Sequence, residues 1–303
     1  MTQHIDPSPG NGNGHGHGNG NGHRSRIAGR LGPNIVLLLA ALFFAMPLLA
    51  MARYGFQNVP NFLLGRSTLF RKWSFDGVTK AVQDPAFRDA MMLSLKLGLG
   101  TVALTLLLLI PTALWVHLRL PRARAFVEFL TLLPYVIPAI ALVAGVVVIK
   151  PHARWFLNSD YALIPFYVVL ALPFTYRTLD AGIRSLDLPT LVDASRSLGA
   201  GWGTTLTRAL IPNLRTAIIS SSFLIAAVVL GEYTMANVLL VEAFPRFLAT
   251  YRQREPQAGY GLAVIALVLT TSLFALLSLL TRRRKSVPHT DSAEILDPIG
   301  TAL

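Results

Sequence analysis

Apolar residues in this chain gather into six runs, and the polar residues between them set their limits. The runs cover about residues 33–52, 91–115, 126–149, 161–174, 217–240 and 258–280. Most approach or exceed the roughly 20 apolar residues that a helix needs to cross a bilayer. The pattern predicts an all-α polytopic membrane protein with six spans. The first run ends in Ala50-Met51-Ala52, which mimics a signal cleavage site. Its apolar core is longer than the roughly 7–15 residues of a signal peptide, so it reads as a retained span. Pro134 and Pro138 lie inside the third run. They predict a kinked helix whose freed carbonyls neighbouring helices must satisfy.

Between the fourth and fifth runs lies a polar stretch, Asp187 to Arg215, that reads as two short helices and a turn. Pro189 suits a first helical turn, where its missing N–H costs nothing. Leu191, Ala194 and Leu198 recur at i, i+3 and i+7 and make one short apolar face. Gly199 is the expected stop, because helix ends favour a left-handed residue. A second helix is expected to run toward Leu210, with Pro212 closing it. On spacing alone, this helix–turn–helix knuckle is also compatible with an ordinary amphipathic connector.

Composition agrees with the membrane reading: 53% of residues are hydrophobic and 14% charged. The formal charge of +12 could suit nucleic acid or an anionic surface. The basic residues, however, gather at the ends of apolar runs: Arg24, Arg26 and Arg30, then Arg119, Arg122 and Arg124, and finally Arg282 to Lys285. By the positive-inside rule they place both termini and the knuckle in the cytoplasm, with no nucleic-acid partner. Residues 1–32, rich in Gly, Asn and His, lack apolar surface to offset ordering and are expected to be a disordered cytoplasmic tail. The six-span domain then covers 33–282, and 283–303 form a second cytoplasmic tail. His15, His17 and His23 could bind a metal ion or simply sit in a solvated tail.

Catalytic patterns are missing. There is no cysteine, no phosphate-binding Gly-x-x-x-x-Gly-Lys-Ser/Thr, no His-Glu-x-x-His and no Gly-x-Ser-x-Gly. No cofactor or metal site is expected in the chain, and His117 and His152 read as single interfacial residues. Lys96 stands close enough to the end of its span to snorkel. Glu232 is deeper, and Asn237 follows about one turn later. An intramembrane carboxylate is costly unless it meets a cavity or a partner, so Glu232 is a pathway candidate, with helix pairing as the alternative. Ser220, Ser221 and Ser222 are small enough for close helix packing. The candidate pathway is Glu232 and Asn237 on the fifth span, with Pro134 and Pro138 opposite.

The knuckle resembles the cytoplasmic loop of binding-protein-dependent ABC importer permeases. Their pattern is Glu-Ala-Ala, three residues, Gly, nine residues, Ile, any residue, Leu-Pro. Here Asp193, Ala194 and Ser195 stand at the first three positions, Gly199 falls in register, Ala209 replaces Ile, and Ile211-Pro212 replace Leu-Pro. The resemblance covers about residues 90–282, with the loop at 177–215. It implies a coupling helix between the fourth and fifth spans, seated on an ATPase through Leu191, Asp193, Ala194, Arg196, Leu198, Gly199 and Pro212. Arg208 joins Arg196 as a rim contact. It also implies an inner-membrane transport subunit without a nucleotide site of its own. The implied partners are two ATPase subunits that carry ATP and Mg, a second permease that is identical or related, an extracytoplasmic binding protein, and membrane lipid. The layout is most similar to spermidine/putrescine-type permeases, which makes a polyamine the expected substrate, with iron(III), thiamine, phosphonate and sulfate as alternatives. A non-transport membrane scaffold and an intramembrane enzyme are the competing classes.

Overall fold

A computed structural model of the chain describes residues 22–57 and 73–282. These residues form helices and turns without a strand; Gln57 and Trp73 make an isolated antiparallel bridge. In chain order the helices are α1 (Gly22–Phe56), α2 (Asp76–Gln83), α3 (Pro85–Arg119), α4 (Arg124–Val136), α5 (Ala139–Ile149), α6 (Arg154–Leu157) and α7 (Leu163–Arg184). They continue as α8 (Leu188–Ser197), α9 (Trp202–Thr204), α10 (Ile211–Asn213), α11 (Arg215–Gly231), α12 (Thr234–Val238), α13 (Phe244–Arg254) and α14 (Pro256–Arg282). A π-helical segment, Thr205–Leu210, joins α9 to α10.

The chain divides into two compact units, Met1–Met51 and Ala52–Leu303. In the first, the described part is α1 as far as Met51. This helix begins at Gly22, within the segment expected to be disordered up to residue 32. Arg24 to Leu31 contain good helix formers, and each residue added to an existing helix gains a hydrogen bond. The Gly/Asn/His repeat with His15 and His17, and the tail beyond Arg282, lie outside the described residues.

Among the described residues, four helical stretches are long and apolar enough to cross a membrane: Asn34–Phe56, Pro85–Arg119, Asp160–Arg184 and Pro256–Leu276. The pair Trp202–Asn213 and Arg215–Gly231, bent by 74°, makes a fifth if it is counted as one span. The third and fifth runs, expected as single helices, are both interrupted. Residues before proline avoid the helical region, and Ile137 (ψ 122°) accordingly ends α4 ahead of Pro138. The fifth run stops at Gly231, Glu232 is extended (ψ 110°), and α12 restarts at Thr234. Two segments expected as loops contain helices, α2 in the first and α13 in the last. Phe244 and Phe247 of α13 are buried with Val78 and Ala81 of α2, so apolar burial folds both segments.

The body is built on α3, α7 and α11, which pack against one another. Each presents a column of buried residues four apart: Leu97, Thr101, Thr105, Leu109 and Ala113; then Tyr167, Ala171, Thr175, Leu179 and Ile183; then Ser221, Ile225 and Val229. Rows at this spacing form the ridges by which helices interlock. Thr, Ser and Ala are prominent in the columns, because side chains facing lipid are already apolar and small residues let backbones close up. α7 and α11 approach closely at Gly182, where an added Cβ would lie 2.4 Å from Ala217 Cβ. Ser221 does lie at the packed interface, as its size suggested.

Candidate functional site

The knuckle sits at the end of α7. Asp187 precedes α8, Pro189 lies in its first turn, and Thr190 Oγ1 donates to Asp187 Oδ2 at 2.6 Å. Leu188 and Val192 are the buried residues of α8, packed in a cluster with Leu179, Ile183, Leu210 and Leu214. Leu191 is half-buried beside them, while Asp193, Ala194, Arg196 and Leu198 are exposed. The spacing had identified a stripe; the structure turns its far end outward, with Leu198 89% exposed. Gly199 takes φ +80°. Its N–H donates to the Arg196 carbonyl at 2.9 Å, and that of Ala200 to Ser195 at 3.1 Å. These two bonds form a Schellman turn, which satisfies the last carbonyls of α8.

Beyond the turn, Arg196 stacks over the half-exposed Trp202 ring at 5.1 Å. Arg196 and Trp202 thus form one exposed pair, in which Trp202 was not anticipated, and Leu198 is exposed on the same turn of chain. Arg208 is exposed further along. Pro212 does not close the second helix as expected; it lies in the first turn of α10, and the break comes at Leu214. Proline offers no N–H to the carbonyl four residues back and crowds it, and the turn before Pro212 is widened to π geometry.

Beneath the knuckle lies a buried ion cluster that sequence reading missed. Asp180 of α7 is 2% exposed. Its Oδ1 is 2.7 Å from Arg124 Nε of α4 and 3.1 Å from His117 Nε2 of α3. Arg124 Nη2 donates to Oδ2 at 3.0 Å, and Arg184 one turn on also pairs with Oδ2. His117 is thus not a single interfacial residue. Its Nδ1 lies 2.8 Å from the Ala113 carbonyl, so the ring is held between its own helix and the carboxylate. The available sequence signal was Asp180 between Arg177 and Arg184 on one helix, next to a basic turn read only for orientation.

The pathway candidates fare unevenly. Glu232 turns its carboxylate onto the start of α12, accepting from Thr234 N at 2.8 Å and Met235 N at 2.9 Å. From the position before the N-cap Tyr233 it caps the first N–H groups of α12, so its carboxylate is occupied by the backbone that follows it. Asn237 is exposed on α12, Pro134 is inside α4, and Pro138 stands exposed at the start of α5. α12 packs against α5, so the structure brings the second pieces of the two interrupted runs together. At the other end of α3, Lys96 lines a cavity of about 530 Å³ with Asp89, Asp160 and Glu242. Among the described residues no group of three His, Asp or Glu is placed to hold a metal ion.

Residues 109–286 match the family described as binding-protein-dependent transport system inner membrane component. This covers the buried ion cluster, the knuckle and the last four apolar runs. The chain belongs to that family. It is accordingly a multi-pass ABC importer permease, a transport component that works with ATPase and binding-protein partners. Two curated relatives are the molybdenum transport system permease protein ModB of Mycobacterium bovis and that of Mycobacterium tuberculosis. Each is 26% identical to this permease over 207 residues, covering 62% of it and 77% of the relative. A solved bacterial ABC transporter involved in the import of the acidic polysaccharide alginate shares the fold. Its TM-score is 0.62 at 16% identity, over 87% of this permease and 98% of the matched chain.

Proposed function

We propose that this permease crosses the inner membrane six times, with both termini in the cytoplasm, and that α8 and its turn seat the ATPase. The spans are α1, α3, α4 with α5, α7, α11 with α12, and α14. Two interrupted runs are acceptable within a bilayer because other helices cover their free backbone groups. The observation that carries the coupling assignment is the exposed Arg196–Trp202 pair, set on either side of the Schellman turn at Gly199, with Leu198 exposed at the same turn. An Arg-stacked tryptophan open to solvent suits the anchor of a protein interface. Leu191, Asp193, Ala194 and Pro212 complete its surroundings. The complex would hold two ATPase subunits carrying ATP and Mg, a second permease and an extracytoplasmic binding protein.

For the substrate, the relatives' name favours a molybdenum oxyanion. The polyamine expectation came from the likeness of layout to spermidine/putrescine-type permeases, and Glu232, the acid that would suit such a cation, is engaged in capping α12. One observation still supports a polyamine, the three carboxylates around the cavity beside Lys96. Co-purification of the tagged protein in mild detergent tests the coupling. An ATPase subunit should accompany the wild type and be lost on Leu198→Glu or Gly199→Val, with membrane insertion unchanged. Retention in both variants sinks the assignment. Uptake of radiolabelled molybdate and spermidine by the reconstituted complex decides between the substrates.

A further inference from the structure

The ion cluster at the inner end of the bundle has a role beyond holding charge. It joins three elements that sequence keeps apart: His117 on the last turn of α3, Arg124 on the first residue of α4, and Asp180 with Arg184 on the last turns of α7. Arg184 is followed within four residues by Leu188, where α8 begins. Leu179 and Ile183, on either side of Asp180, are packed in the same cluster as Leu188 and Val192 of α8. Force borne by α8 therefore reaches α7 at the turn that carries Asp180.

Apolar packing alone would leave these helix ends free to slide past one another. A carboxylate with cations against both oxygens, Arg124 Nε and His117 at Oδ1 and Arg124 Nη2 and Arg184 at Oδ2, is restrained in direction as well as distance. Glu128 and Arg177, 3.3 Å apart, join α4 and α7 again nearer the surface, but Arg177 is exposed and Glu128 only half-buried, so the pair adds little constraint. The buried partners do most of the fixing.

We propose that Asp180 is a positioning residue for coupling: through Arg124 and His117 it locks the inner ends of α3, α4 and α7 into one block, so that displacement of α8 moves the bundle rather than bending α7. This rests on the reading of α8 as the ATPase seat. The carboxylate works through its partners and touches neither solute nor nucleotide.

The test uses the full complex in proteoliposomes, with wild-type, Asp180→Asn and His117→Gln permeases, both substitutions keeping side-chain size. Three quantities are read: ATPase subunit bound per permease, ATP hydrolysed, and solute imported per ATP, using whichever of molybdate and spermidine the wild type imports. The expected result is unchanged ATPase binding and continued hydrolysis, with solute per ATP reduced at least threefold in each variant. An unchanged ratio in His117→Gln overturns the proposal, even if Asp180→Asn fails to assemble. Loss of bound ATPase with an unchanged ratio also overturns it, since the cluster would then serve stability alone. A wild-type permease that binds no ATPase refutes the coupling reading itself, which is a different failure.

Discussion

Arg124 holds both oxygens of Asp180 across 56 residues of sequence, with Nε 2.7 Å from one and Nη2 3.0 Å from the other. Removing Arg124 weakens the compensation of a buried carboxylate without abolishing it, because Arg184 and His117 still face Asp180. Arg124→Leu should therefore destabilise the protein by about 1–3 kcal/mol, the range for loss of one charged hydrogen-bond partner. Replacing both residues by leucine should cost less than Arg124→Leu alone, because no buried carboxylate remains and Arg184 is exposed enough to reach water. Thermal unfolding of the detergent-solubilised variants checks this; a double variant weaker than the single one would speak against it.

Gly182 leaves room for Ala217 and nothing more. Gly182→Ala would set two methyl groups 2.4 Å apart, and overpacking of this kind costs about 1–3 kcal/mol. Ala217→Gly in the same chain should recover most of that loss. If the second substitution recovers nothing, α7 and α11 do not meet here as described.

Leu240 is the one described non-glycine residue with positive φ, at 61°. It occupies the left-handed position of a second Schellman turn, with Val241 N donating to the Ala236 carbonyl at 2.9 Å. A side chain there costs about 1–2 kcal/mol, part of which Leu240→Gly should recover as a higher Tm. The Leu240 carbonyl also accepts from Arg246 Nη1 at 3.1 Å, which helps hold the turn. Uptake by Leu240→Gly, measured alongside Tm, shows whether the strained turn serves transport.

Glu232 as a cap makes a different forecast from Glu232 as a solute ligand. Glu232→Gln keeps an acceptor for Thr234 and Met235 and should leave uptake near wild type. Glu232→Ala loses the cap and should lower stability by about 1 kcal/mol. A large uptake defect in Glu232→Gln at normal stability would return the carboxylate to the pathway.

Local chemistry was the legible part of this protein. The apolar runs marked α3, α7 and α14, Pro189 and Gly199 marked the two ends of α8, and the Asp193-to-Pro212 spacing pointed to the family. The failures were of two kinds. One was continuity: Pro134 and Pro138 announced a kink, but the break fell at Ile137, and nothing in Gly231-Glu232-Tyr233 distinguished a stop from a continued helix. The other was contact at a distance. Asp180, Arg124 and His117 meet only after three helices have packed, and their charges had already been given a sufficient use in setting orientation. Similarly, the i, i+3, i+7 stripe of α8 could not say that Leu188 and Val192 face inward while Leu198 faces out. That depends on where Leu210 and Leu214 come to rest.

The elbow at Leu214 has a consequence for how load travels through the protein. Bent by 74°, the pair ending in α11 cannot act as a strut. A thrust along the short arm passes mostly across the long one, as a turning moment about Leu214. Leu214 is wedged in the cluster that also holds Leu179 and Leu210, and α11 is packed against α3 and α7. A moment on the short arm is therefore a moment on the whole bundle, with α11 as its lever.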